Sequence, residues 1–443
     1  MKRKLIDRCI EWKDKNSQVP FYLSGARGVG KTYLAMEFAK AFYQVVLYLN
    51  FETDPSINHR LRSLNGMELI HELYRYNEQN EKASFLSLPF HDKSTLVEHT
   101  VHSEEIPEET TNQQIILILD EISCCSQLDN ILSSVIHSRL PIHILLINSH
   151  FYEPACMKNG SIHLIEHRCY PLDFEEFLLA TSNEWYIGVI NEHFDSNRPV
   201  PEIVHKELLE LYDIYLIVGG MPEAVSEYLL FSNVNNIVEK HRLRQGTLIN
   251  DIYTWQNASE ALKMKQVMDT IPTQLQKRNK KFQYTYIRKG ATRNMYEEAI
   301  SSLIDTGYVI ASLKMTDETQ MKLYLADSGM LASMIRYNSE EIHVFEDEMI
   351  KSALLENSVA AALHTKEYEL RFWESDSSAK VEFIIGKNNL LPIELFLTDT
   401  TRSKNLSVFK ESYEFDYAVK ISSKNFGYSK NIKYVPYYAI YCL

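Results

Sequence analysis

The sequence predicts an α/β protein built on a parallel sheet with helices packed against it. Three observations carry this. The short apolar run Pro20-Phe21-Tyr22-Leu23 leads through a glycine-rich turn into residues 32–42, where Leu34, Ala35, Phe38 and Phe42 recur at helical spacing. The run 115-IILILDEIS-123 carries no charge until Asp120-Glu121, as a strand buried on both faces requires. Two further apolar runs, 45-VVLYLNFE-52 and 142-IHILLIN-148, supply strands that alternate with helical stretches.

Bulk properties narrow the class. At 443 residues the chain is too long for one core, so roughly two to four domains are expected. A hydrophobic content of 45% and a net charge of −13 fit a globular protein and argue against indiscriminate coating of DNA. The six cysteines form no CxxC pair and read as reduced thiols, not as a disulfide or zinc framework. The first fifteen residues are charged throughout, unlike a signal peptide, and 115-IILIL-119 is far short of the ~20 residues of a membrane helix. A cytoplasmic protein with no membrane partner is expected.

The turn after the first strand reads Gly25-Ala26-Arg27-Gly28-Val29-Gly30-Lys31-Thr32, followed by Tyr33, and fits G-x-x-x-x-G-K-[ST]. Glycines allow positive φ and turn successive N–H groups inward, and the helix N-terminus adds partial positive charge. Lys31 would reach the β- and γ-phosphates of a nucleotide, and Thr32 would ligate Mg²⁺. Asp120, at the end of its strand, would hold the same Mg²⁺ through water. Glu121 would be the general base, and Asn148, at the tip of a neighbouring strand, would touch the γ-phosphate or the attacking water. ATP and Mg²⁺ are the expected cofactors.

The middle of the chain, 176–245, reads as helices broken near 181–183 and 195–201. The insert 98-EHTVHSEEIPEETTNQ-113 reads as a solvated loop. A helix at 259–271, a helix and strand within 294–313, and a strand at 321–327 follow in winged-helix order. Between them, 276-QKRNKKFQYTYIRKGATR-293 carries Lys277, Arg278, Lys280, Lys281, Arg288, Lys289 and Arg293 and not one acid. This segment is either a DNA-contacting face or a cation cluster that meets solvent or an acidic surface.

GARGVGKT, LDEI, 169-CYPLDFEEFLLA-180, 216-LIVGGMPEAV-225 and 326-ADSGMLASM-334 together resemble a large family of prokaryotic AAA-type ATPases with a C-terminal nuclease-like domain. The resemblance covers nearly the whole chain and keeps the motif order. It implies a P-loop ATPase core (1–175), a helical lid (176–250), a winged-helix domain (251–340) and a C-terminal α/β PD-(D/E)XK nuclease-like domain (341–443). By resemblance to related switch and origin-recognition ATPases, Pro222 would pack against adenine; read on its own, it starts a helix. The family's arginine is missing at its usual spacing before Pro171, in 154-PACMKNGSIHLIEHRCYPL-172. Such a residue contributes roughly 10³–10⁵ in rate, so slow turnover is expected.

The same resemblance places a nuclease-like site at Glu356, Glu382 and Glu394. The lysine expected two residues after Glu394 is Phe396. A phenyl ring cannot activate water, and residues i and i+2 of a strand share a face. Lys380 stands two before Glu382 and is the candidate replacement. The reading is a vestigial site kept as a docking platform, and the whole chain a slow ATP-driven switch acting on a protein partner or DNA. The alternatives are a nucleic-acid-binding or protein-docking scaffold with structural nucleotide, and an ATP-gated DNA nuclease.

Overall fold

The computed structural model describes residues 1–15, 19–84, 115–138, 140–149, 162–231, 234–337, 347–375 and 378–443. The insert at 98–113 and residues 154–161 of the segment before Pro171 lie outside the described residues. The chain divides into two compact units. One comprises Lys4–Gly25 and Gly30–Cys169, the other Met1–Arg3, Ala26–Val29 and Tyr170–Leu443.

The smaller unit is a five-stranded sheet in the order β2-β3-β4-β1-β5. Its strands are β1 (Phe21–Ser24), β2 (Val45–Asn50), β3 (Ile115–Asp120), β4 (Ile142–Ile147) and β5 (Ile165–Arg168), and every pairing is parallel. All six residues of β3 are buried, as its charge-free sequence requires. β5 was not expected from the sequence: it is four residues long, IEHR, and lies at the sheet edge. Leu49, Leu69, Leu117, Leu132 and Leu146 are among the core residues that join this sheet to the helices Gly66–Ser84 and Leu128–Ser138. Because the strands run parallel, the C-terminal ends of the neighbours β3, β4 and β1 lie along one edge. That edge carries the site.

The larger unit holds helices from Phe174–Ala180 to Glu348–Thr365 and an eight-stranded mixed sheet in the order β12-β13-β11-β10-β9-β8-β6-β7. Its strands are β6 (Val309–Lys314), β7 (Asp317–Leu325), β8 (Arg371–Glu374), β9 (Lys380–Ile385), β10 (Leu391–Leu395), β11 (Ala418–Ser422), β12 (Gly427–Ser429) and β13 (Ile432–Pro436). The helices Ala258–Leu275 and Arg293–Asp305 precede the β6–β7 hairpin, the anticipated order of elements. β6 also pairs with β8: the Leu313 amide donates to the Leu370 carbonyl at 3.0 Å and the Met315 amide to Phe372 at 2.8 Å. Strands from both sides of position 340 therefore share one sheet. Among the described residues, no single helix is long and apolar enough to cross a membrane.

Candidate functional site

In the smaller unit, the chain turns from β1 into the helix Lys31–Phe42 through glycines in left-handed or extended positive-φ conformations, with φ of 133° at Gly25 and 94° at Gly30. A Cβ on Gly25 would lie 2.2 Å from the Cys169 carbonyl oxygen, so only glycine lets the loop leave the sheet here. Lys31 is buried, and its Nζ donates to the Gly25 carbonyl at 2.7 Å across the loop mouth. Tyr33, one position past the loop threonine, is exposed.

Asp120, Glu121 and Asn148 lie at the ends of β3 and β4, and Thr32, in the first turn of the helix Lys31–Phe42, reaches Asp120. The Thr32 hydroxyl donates to Asp120 Oδ2 at 2.8 Å. So does the Tyr48 hydroxyl, also at 2.8 Å, and Asn50 lies level with Asp120 in the β2–β3 register. Burial, and next the adjoining Glu121 charge, push Asp120 up to about 6; the Thr32 and Tyr48 hydrogen bonds and Lys31 pull the other way without winning. Such a desolvated carboxylate beside a hydroxyl is an oxygen donor set suited to a hard divalent cation. Glu121 adopts a left-handed φ of 53°, and its Oε2 accepts from the Ser149 amide at 2.9 Å. The strained turn aims this buried carboxylate at the tip of β4. There Asn148 is buried too, its amide bonded to the Leu23 carbonyl of β1.

Within the larger unit, the crown of the loop is held from several sides. Arg27 Nε lies 2.9 Å from Asp251 Oδ2, and the Arg27 amide donates to the Tyr308 hydroxyl at 3.0 Å. A Cβ on Gly28 would meet the Arg244 guanidinium at 2.5 Å. Sequence reasoning sought an arginine before Pro171. Arg244, from the helix Val234–Trp255, packs on the crown at Gly28, and no motif in the sequence marks it.

The segments that carry the family resemblance beyond the loop meet one another in this unit. The Leu172 amide donates to the Gly220 carbonyl at 2.7 Å, and the Gly220 amide to Asp327 Oδ1 at 2.6 Å. A Cβ on Gly220 would fall 2.0 Å from the Leu172 oxygen, and one on Gly329 2.4 Å from the Val218 oxygen. These glycines permit backbones to touch. Pro222 begins the helix Pro222–Phe231.

The expected nuclease-like residues also assemble in the larger unit, but each carboxylate is taken by lysine. Glu356 accepts from Lys280 Nζ at 2.8 Å, from Lys322 Nζ at 2.9 Å and from the Tyr324 hydroxyl at 2.8 Å, with both ammonium groups buried. Burial pushes Glu356 up, but the two lysines outweigh it and hold the carboxyl well below the usual range. Glu382 lies 3.1 Å from Lys380; there burial dominates and its carboxyl is raised. Glu394 lies 3.0 Å from Lys420 and accepts from Ser403 and Asn405. Among the described residues, no group of three or more His, Cys, Asp or Glu side chains is arranged to hold a metal ion.

Lys280 therefore corrects the expected cation face: it is a core residue, drawn inward by Glu356. Lys281 pairs with Glu374 at 3.0 Å and Arg293 with Glu297 at 2.8 Å. Lys277, Arg278, Arg288 and Lys289 remain exposed, with Tyr286 exposed among them.

Residues 209–341 match a family described only as a domain of unknown function, DUF8612. No curated protein matches the chain. Among solved structures it is similar to the Walker-type ATPase PABY2304 of Pyrococcus abyssi, at 16% identity over 76% of this chain and 95% of that one, with a TM-score of 0.45. It is also similar to Cdc6p from Pyrobaculum aerophilum (11% identity, 76% and 96% of the two chains, TM-score 0.26). The Aeropyrum pernix ORC1 protein, solved in complex with DNA, is a third (13%, 75% and 91%, TM-score 0.30). These are loose likenesses. The sheet order and the loop geometry stand without them: the fold is α/β, with a five-stranded parallel sheet and a glycine-rich loop between β1 and the helix Lys31–Phe42.

Two contributors to the site lay beyond sequence reasoning. Tyr48 sits in a strand recognised as such, but only strand pairing reveals that its hydroxyl reaches Asp120. Lys322 occupies a strand read as a winged-helix element, and its partner Glu356 lies on a distant helix.

Proposed function

We propose that this chain binds Mg·ATP at the Gly25–Thr32 loop and hydrolyses it slowly, as a nucleotide-dependent switch of the AAA type. The observation that carries the reading is the Thr32–Asp120 hydrogen bond beside buried Lys31, with Glu121 held at the neighbouring strand tip. Thr32 and Asp120 would hold the cation, which when bound neutralises phosphate charge. Lys31, released from the Gly25 carbonyl, would pair with phosphate oxygens; its short tether across the loop keeps it at the mouth. Glu121 would orient and polarise the attacking water, and the Ser149 amide fixes the carboxylate for that task. Asn148 would contact the water or the terminal phosphate. Pro222 would lie against the base.

Titration calorimetry with Mg·ATP, followed by turnover with and without added DNA, tests the reading. Binding in the micromolar range with slow basal turnover is expected. No heat with Mg·ATP would sink it.

For the C-terminal strands we propose a docking platform in place of a nuclease. Cutting would require Glu356 and Glu382 to release buried or paired ammonium groups before they could serve a metal-assisted step. A DNA partner is favoured by one feature, the exposed cations Lys277, Arg278, Arg288 and Lys289 interleaved with Tyr286.

A further inference from the structure

Arg3 is 7% exposed, and its guanidinium reaches Glu176, Val29 and Tyr170 within the larger unit. Nε lies 3.1 Å from Glu176 Oε1, one terminal nitrogen donates to the Val29 carbonyl at 2.6 Å, and the other to the Tyr170 carbonyl at 2.6 Å. Glu176 is itself buried, and its amide donates to Asp173, which caps the helix Phe174–Ala180. A buried arginine costs several kcal/mol to desolvate and is weak evidence of stabilisation by itself. Here a charged donor is directed onto a carbonyl of the phosphate loop.

The consequence follows from peptide geometry. In a trans peptide the C=O and the following N–H point in opposite directions. Fixing the Val29 carbonyl toward Arg3 therefore fixes the Gly30 N–H away from it. Gly30, at φ 94°, is the residue at which the loop enters the helix, where successive N–H groups face an anion. Without Arg3 this peptide could flip, and Gly30, lacking a Cβ, would not resist.

We infer that Arg3, held by Glu176 of the PLDFEEF segment, is a positioning residue that presets the Val29–Gly30 peptide for phosphate binding. This rests on the nucleotide reading above. It explains why an acid at 176 is buried, and it gives that segment a task at the loop.

The test uses the full chain with Arg3→Ala and Arg3→Lys. A lysine keeps the charge but cannot serve three divergent acceptors. Affinities for Mg·ATP and for inorganic tripolyphosphate are measured by calorimetry, and the melting temperature of the ligand-free protein separately. Both variants should bind both ligands about tenfold or more weakly, the loss expected for one misdirected donor to a charged group. A strut serving stability alone would lower the melting temperature and leave affinity intact. Wild-type affinity in folded Arg3→Lys overturns the assignment while the nucleotide reading stands, even if Arg3→Ala fails to fold. Absence of binding in the wild-type protein overturns both.

Discussion

Lys420 on β11 stands directly across from Glu394 on β10, its Nζ 3.0 Å from the carboxylate. Two residues beyond Glu394, the Phe396 ring lies 5.2 Å beneath the same ammonium group. The neighbouring strand thus supplies the cation that neutralises an acid that is 1% exposed. Lys420→Met should leave that carboxylate uncompensated and cost about 3–5 kcal/mol in urea unfolding. Phe396→Lys should confer no Mg²⁺-dependent cutting, because Glu394 already has its counter-charge.

Glu356 and Glu382 should respond in opposite ways to removal of charge. Glu356→Gln leaves buried Lys280 and Lys322 without their anion and should destabilise the fold by about 3–5 kcal/mol at neutral pH. Glu382→Gln removes an acid whose ionised form burial disfavours, and its partner Lys380 is half exposed, so stability at neutral pH should hold or rise. The pH dependence has a definite sign. The folded-state value of Glu356 lies below its unfolded value near ~4.3, so its contribution is complete above that pH and is lost only as pH falls through the lower folded value. Glu382, raised in the folded state, favours folding at low pH and loses that contribution as pH climbs from ~4.3 through its folded value. Unfolding free energies of the two variants and the wild type between pH 3 and 8, with pH spacing fine enough to resolve these windows, check both signs.

Glu121→Gln should bind Mg·ATP with near wild-type affinity and lose about 10²–10⁴ in turnover, since the amide keeps the shape but cannot accept a proton. Lys31→Ala should abolish binding. Equal nucleotide binding by the two variants would reverse these role assignments.

The exposed cations offer a separable test. Neutralising Lys277, Arg278 and Lys289 together should reduce DNA affinity and lower the salt slope by about 0.9 for each lost phosphate contact. Lys280→Ala should instead destabilise the protein, because its ammonium group serves Glu356. Unchanged binding of DNA by the triple variant would remove DNA as the partner of this face.

Much of the loop and strand-end geometry was legible because its parts are local. The glycine pattern prescribes backbone conformation residue by residue, and the charge-free run ending in Asp120-Glu121 prescribes a central strand with acids at its tip. Lys280 was misread for the converse reason. In a run of cations without acids it looks solvated, yet its anion lies 76 positions away. Arg3 and Arg244 carry no pattern at all, and β5 was too short and polar to register.

By itself the sequence determined the glycine-rich turn after β1 and the burial of β3, since each depends on neighbours a few residues apart. Only the tertiary structure decided which charges neutralise which: Lys420 on Glu394, two lysines on Glu356, Arg3 on Glu176. Electrostatic pairing acts through a few ångströms of space, and chain separation places no limit on which side chains come that close.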